Sequence, residues 1–190
     1  FDAVFFGKLL VVLFSLGILL LTYLIALDIF NKKTAVISAL FLAFSQTFFL
    51  FSSILHAEIP STFFALLGFC LFIRKKYNLS GLFLGIAFMT RFFQVFAFIA
   101  LALVLFYLFI RKKIPYRNLF YFSLFFLIPM VPYFILNQFL YGNALHPFLL
   151  QSFMTKYTGW IFSQPFYFYF VNLEKENILA LFSIITLAFI

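Results

Sequence analysis

Short clusters of cations cut this chain into apolar runs of membrane-crossing length, and that alternation restricts the fold more than any single residue does. Lys32 and Lys33, Arg74 to Lys76, and Arg111 to Lys113 with Arg117 hold nine of the thirteen lysines and arginines, with Asp28 as the one acid near them. The other four cations, Lys8, Arg91, Lys156 and Lys175, are matched by Asp2, Glu58, Glu174 and Glu176. Cations gathered at alternate turns follow the positive-inside rule, which puts the three clusters on the cytoplasmic side. The net charge of +8 therefore reports topology. These cations are not spread over a polar face with interleaved stacking aromatics, so nucleic acid is excluded as a partner.

Composition agrees. The 190 residues are 66% hydrophobic and 9% charged, with 36 phenylalanines and a mean hydropathy of +1.17, far above the balance of a soluble domain. The lipid bilayer is the expected solvent, and the expected fold class is all-α, a polytopic transmembrane helix bundle of about seven membrane segments, some of them short. The single cysteine, Cys70, lies in an apolar run and is read as a small packing residue. No cleavable signal peptide is visible. The chain opens without methionine and stops within an apolar run, so residues 1–190 are expected to be one transmembrane domain, incomplete at both ends.

The first span is expected from Phe6 to Ile29 and the second from Thr34, as N-cap, to Leu55. HAEIPS is then an outer turn, with Pro60 suited to the first turn of a third helix, Ser61 to Ile73. Leu79 to Ile110 is too long for one span, and a single pass would put the Arg111 cluster on the wrong side. The segment is therefore broken near Thr90 and Arg91. Gly81 and Gly85 form a G-x-x-x-G that permits close helix packing. Asn118 to Leu136 rises again, kinked by Pro129 and Pro132. A loop with one or two interfacial helices follows, with Trp160 at headgroup level, and Ile178 opens another span. No internal repeat or disordered linker is evident.

Within this apolar setting Glu58 and Arg91 are costly at membrane depth and so are candidates for function. Glu58 lies sixteen positions before Arg74, about 24 Å along a helix, and Arg91 thirteen after Asn78, about 20 Å, both short of a core roughly 30 Å thick. The two are thus expected at similar recessed depth beneath the outer surface. There a carboxylate could meet a polar acceptor while an arginine binds an anionic headgroup. A structural ion bridge between them, or an Arg91 that snorkels to lipid phosphate, is the competing reading. His56 is a candidate proton carrier. Gln94, three residues after Arg91, would share its helical face and add a hydrogen bond to the same headgroup. Tyr141, Asn143, His146 and Lys156 are the polar candidates of the outer loop. No metal site, nucleophile elbow or P-loop motif is present.

Several segments resemble the GT-C membrane glycosyltransferases, in particular the dolichyl-phosphate-mannose protein mannosyltransferase-like group that includes the bacterial lipid A aminoarabinose transferases. FNKKTAVISALFLAFSQ followed by HAEIPSTFF resembles the family's span before an acidic loop. LSGLFLGIAFMTRF is similar to a further family segment, with Arg91 where lysine is usual. PYFILNQFLYGNALHPF and QPFYFYFVNL resemble its outer loop. The resemblance implies a GT-C-like bundle with outer-face interfacial helices, transferring a sugar from a polyprenyl-phosphate donor to a protein, lipid or glycan acceptor at the outer face of a cell membrane. It gives Glu58 the second acidic position and Arg91 the donor-phosphate position. The family's first span and first outer loop, with its principal catalytic aspartate, would precede Phe1, so residues 1–190 alone are expected to be inactive. The polyprenyl-phosphate sugar is the one cosubstrate implied, with a divalent metal left open. A transporter or flippase for lipid-linked or anionic solutes is the alternative; it would call for inverted repeats and helix breaks near the midplane.

Overall fold

The computed structural model describes residues 3–157, which form nine α-helices and one 3₁₀ turn, with no strand among the described residues. The chain divides into two units at Ile135 and Leu136. α1 (Ala3–Ile29) and the 3₁₀ turn with α6 (Phe92–Gln94 and Val95–Ile110), both in the first unit, and the run of α7 (Tyr116–Leu127) and α8 (Met130–Tyr141), which passes from the first unit into the second, are long and apolar enough to cross a membrane. The bent pair α2 (Lys32–Ala43) and α3 (Gln46–Ser53) makes a fourth span if taken together. α4 (Glu58–Ile73) and α5 (Tyr77–Thr90) are apolar but short. The fold is thus a helical membrane bundle, as expected. The span expected from Ile178 and the loop around Trp160 lie outside the described residues.

Of the boundaries that differ from expectation, three have a clear local reason. α2 begins at Lys32 because Asn31 is the N-cap: its Oδ1 accepts from the Thr34 backbone N–H at 3.0 Å and from the Thr34 hydroxyl at 3.2 Å. Thr34 sits in the first turn. The single span Thr34 to Leu55 is bent by 61°, because Ser45 takes an extended conformation and starts a new helix. α4 begins at Glu58, three residues before the expected Ser61, and its first-turn acid offsets the positive end of the helix dipole. Pro60 falls in that same turn, where its missing N–H costs nothing.

α5 lies at the centre, between α4 and α7; α4 in turn packs on α1, and α1 on α2. The expected glycine pair makes the α5–α7 contact. A methyl group built on Gly81 would fall on the Phe122 carbonyl, and one on Gly85 on the Phe126 carbonyl. Two backbones thus come close with no side chain between them, which is how helices gain packing energy where lipid removes the hydrophobic drive. Beside this seam Phe98 of α6 stacks on Phe126 (centroids 3.7 Å) and Phe122 (5.1 Å). On the other side Phe14 of α1 meets Phe63 and Phe64 of α4. Val11, Ile18 and Ile59 form a buried cluster between the same two helices, and Cys70 is buried. Large apolar side chains nevertheless stand exposed along α1 and α6, including Leu13, Leu16, Leu20, Phe96 and Leu103. Such a surface suits lipid and would associate in water.

Asp28 near the end of α1 accepts a hydrogen bond from Arg74 Nε at 2.8 Å, tying α1 to the C-cap of α4 on the basic side of the bundle. The glycine seam yields a direct test. Gly81→Val or Gly85→Val should lower the melting temperature of the detergent-purified protein, at about 1–3 kcal/mol of overpacking each. Gly7→Ala should be nearly neutral, because its new methyl meets only the flexible tip of Leu55. Equal effects at all three glycines would contradict the packing described.

Candidate functional site

The site is built by the α4–α5 hairpin. α4 runs toward the basic turn Arg74 to Lys76 and α5 runs back from it, so the first residue of α4 and the residue that ends α5 meet at the opposite end. With 16 and 14 residues, the helices are about 24 and 21 Å long. The 27-residue α1 beside them is about 40 Å. The short hairpin therefore stops below the level that full spans reach.

At that recessed end the Arg91 Nη1 donates to Glu58 Oε1, and His56 Nδ1 lies within hydrogen-bonding reach of Glu58 Oε2. Each carboxylate oxygen thus has its own partner. Glu58 is held in place by its helix: Ser61, fully buried, donates its hydroxyl to the Glu58 carbonyl at 3.0 Å. Arg91 is delivered by a break. Its backbone N–H still closes α5 on the Ala87 carbonyl, but its φ of −153° and ψ of 118° turn the chain out of the helix before the 3₁₀ turn begins. The Glu58 side chain is 24% exposed and that of Arg91 39%, so the pair is half-sheltered and still reachable.

The chemistry of the three groups follows from their donors. An ionised carboxylate only accepts, so His56 Nδ1 must carry hydrogen, and Nε2 of a neutral ring is left as an acceptor. Arg91 has five N–H donors and spends one on Glu58; its other donors meet no described residue. Phe93 lies 5.8 Å from the guanidinium carbon and adds a cation–π contact. The edge of Phe51 supports the His56 ring at 5.9 Å. Neither aromatic was singled out in the sequence, where two phenylalanines among 36 carry no mark beyond their nearness to the charges. Beside His56 runs an apolar groove of about 340 Å³, lined by Gly7, Leu10, Val11 and Phe14 of α1 and by Leu55, His56, Ala57 and Pro60.

Of the expected site residues, Glu58, His56 and Arg91 come together. Gln94 does not share a helical face with Arg91, because Arg91 is extended; a backbone bond from Gln94 N–H to the Arg91 carbonyl at 3.0 Å links them instead. Tyr141, Asn143, His146 and Lys156 belong to the second unit, where α9 (His146–Tyr157) forms. Within that unit Tyr141 and His146 stack at 4.3 Å. Asn143 Oδ1 accepts from the Leu145 N–H at 2.9 Å, and Lys156 lies in the last turn of α9. Between Tyr141 and Asn143, Gly142 takes a φ of +68°, a conformation glycine adopts without strain. Among the described residues no three His, Cys, Asp or Glu side chains gather as a metal-binding set.

A helical membrane bundle that holds a half-sheltered ion pair away from its cationic loops is an integral membrane protein with a candidate site at lipid depth. Within that class the chain belongs to the dolichyl-phosphate-mannose-protein mannosyltransferase family, whose model matches residues 2–135. It is a GT-C-like membrane glycosyltransferase of the mannosyltransferase type. No curated protein and no solved structure matches the chain.

The hydrogen bonds rank the three side chains. Glu58→Gln and Arg91→Gln each strand a half-buried charge and should destabilise the protein by about 1–2 kcal/mol. His56→Ala, at a more exposed position, should cost less than about 0.5 kcal/mol. Thermal unfolding in detergent measures all three; a His56 effect as large as the other two would contradict the ranking.

Proposed function

We propose that the protein transfers a sugar from a polyprenyl-phosphate donor to an acceptor hydroxyl at the outer face of a cell membrane, with Arg91 as the donor-phosphate ligand. The observation that carries this reading is that Glu58 engages only one donor of Arg91, at the end of the bundle remote from all three basic clusters. The carboxylate fixes the guanidinium, and the remaining N–H groups are free to form paired hydrogen bonds with phosphate oxygens. The lipid chain of the donor would lie along the groove beside His56, where isoprene units meet mostly apolar side chains.

In this scheme the acceptor oxygen attacks the anomeric carbon from the face opposite the phosphate. The carbon–oxygen bond to phosphate breaks, a glycosidic bond forms, and configuration inverts. The acceptor proton passes to His56 Nε2, with Glu58 stabilising the imidazolium that results. Arg91 stabilises the charge that grows on the departing polyprenyl phosphate. Gln94, tied to Arg91 through its backbone N–H and not through a shared helical face, would add a hydrogen bond to the same phosphate.

The test uses the intact protein, with every segment the family resemblance calls for, in proteoliposomes with polyprenyl-phosphate mannose as donor. Arg91→Ala should lower transfer by about 10²- to 10³-fold, the usual effect of removing one transition-state charge ligand. Arg91→Lys should recover part of it, and membrane insertion should be unchanged in both. Undiminished transfer by Arg91→Ala would overturn the assignment.

A further inference from the structure

The hexapeptide LFIRKK occurs twice, at residues 71–76 and 108–113, a short repeat that reading the chain span by span passes over. Both copies end a 16-residue helix, α4 and α6, and both adopt the same turn. In the first, Lys75 N–H bonds the Phe72 carbonyl and Lys76 N–H the Leu71 carbonyl, each at 2.9 Å. In the second, Lys112 bonds Phe109 at 2.8 Å and Lys113 bonds Leu108 at 2.9 Å. This is a Schellman ending, whose left-handed residue is usually glycine. Here it is lysine both times, with φ of 59° at Lys75 and 55° at Lys112. Each phenylalanine of the repeat also meets a tyrosine of the next helix edge-on, Phe72 with Tyr77 and Phe109 with Tyr116.

The two turns share one end of the bundle. Gly81 faces Phe122 and Gly85 faces Phe126, so α5 and α7 run parallel, and Tyr77 at the start of α5 is level with Asn118. α7 starts two residues earlier, about 3 Å away. The roles within each turn also divide alike. The arginines are engaged with the protein, Arg74 with Asp28 and Arg111 over the Tyr107 ring at 5.5 Å. Lys75, Lys76, Lys112 and Lys113 are exposed and form no ion pair with a described residue. Ile110 and Tyr116 stand exposed beside them, which puts the ammonium groups at the rim of the lipid-facing surface, at headgroup level.

Topology alone requires cations somewhere in these loops; it does not require lysine at the one position of each turn where glycine would be less strained. We propose that the two LFIRKK turns together bind the phosphates of anionic phospholipids in the leaflet on the basic side, with Lys75 and Lys112 as the principal ligands. The identically closed turns fix the points from which the two lysine side chains leave the backbone, so both ammonium groups reach the same headgroup layer.

The full chain in detergent, titrated with dioleoyl-phosphatidylglycerol or dioleoyl-phosphatidylcholine and followed by native mass spectrometry, tests this. The unmodified protein should prefer phosphatidylglycerol. Each direct ammonium–phosphate contact is worth about fivefold in affinity, so Lys75→Gly with Lys112→Gly should weaken phosphatidylglycerol binding roughly 25-fold. Lys75→Arg with Lys112→Arg should stay within about threefold. Glycine relieves the positive φ, so the double glycine variant should melt no lower than the parent without lipid. Should it fold poorly, Lys75→Asn with Lys112→Asn serves in its place, since asparagine tolerates the left-handed region. Lys32→Gln with Lys33→Gln is the control for a diffuse basic surface and should change binding by less than about threefold. Undiminished phosphatidylglycerol binding by the glycine or asparagine pair, or an equal loss in the Lys32 and Lys33 control, would overturn the proposal.

Discussion

The pairing of Glu58 with Arg91 across the α4–α5 hairpin is the constraint from which the rest of the site follows. Neither charge would be stable alone among apolar helices, because unpaired ions are costly at membrane depth. Together they close the hairpin at the end opposite its basic turn, and the shortness of both helices keeps that end below the surface. His56 joins through the second carboxylate oxygen, so one side chain organises both a cation and a ring nitrogen. The interacting polar groups are thereby concentrated at the place where the helices end early.

Lipid determines how the remaining structure holds together. Burying carbon gains little when the solvent is also hydrocarbon, and the bundle relies instead on shape: Gly81 and Gly85 against the carbonyls of α7, with stacked phenylalanines filling the space alongside. Asp28 and Arg74 fasten the basic side, and Glu58 and Arg91 fasten the other. The same economy separates two kinds of cation. Arginines that meet the protein are held by carboxylates or aromatic faces, whereas the lysines of the LFIRKK turns face outward.

Much of this was legible in the sequence because membrane thickness and charge placement are strong rules. They required a break between Leu79 and Ile110, and the chain does leave the helix at Arg91. Counting residues from the basic turn put Glu58 and Arg91 at one depth, and they touch. The glycine spacing marked the α5–α7 seam. What the sequence did not disclose depends on single backbone choices. Ser45 could have continued its helix, yet it turns extended and bends the second span. Arg91 turns out of its helix, which removes the shared face expected with Gln94. Lysine has no intrinsic preference for the left-handed conformation, so the strain at Lys75 and Lys112 was invisible, and the meaning of their repeat needed the parallel register of α5 and α7.

The most direct measurement of the central pairing is the reversal of both charges. Glu58→Arg or Arg91→Glu alone puts two like charges together in the recess, and each should lower the melting temperature of the detergent-purified protein by several degrees. Combining them restores opposite charges, and the double variant should regain at least half of the loss, short of full recovery because arginine sits poorly at the start of α4. A double variant whose loss equals the sum of the two single losses would contradict the pairing on which the site is built.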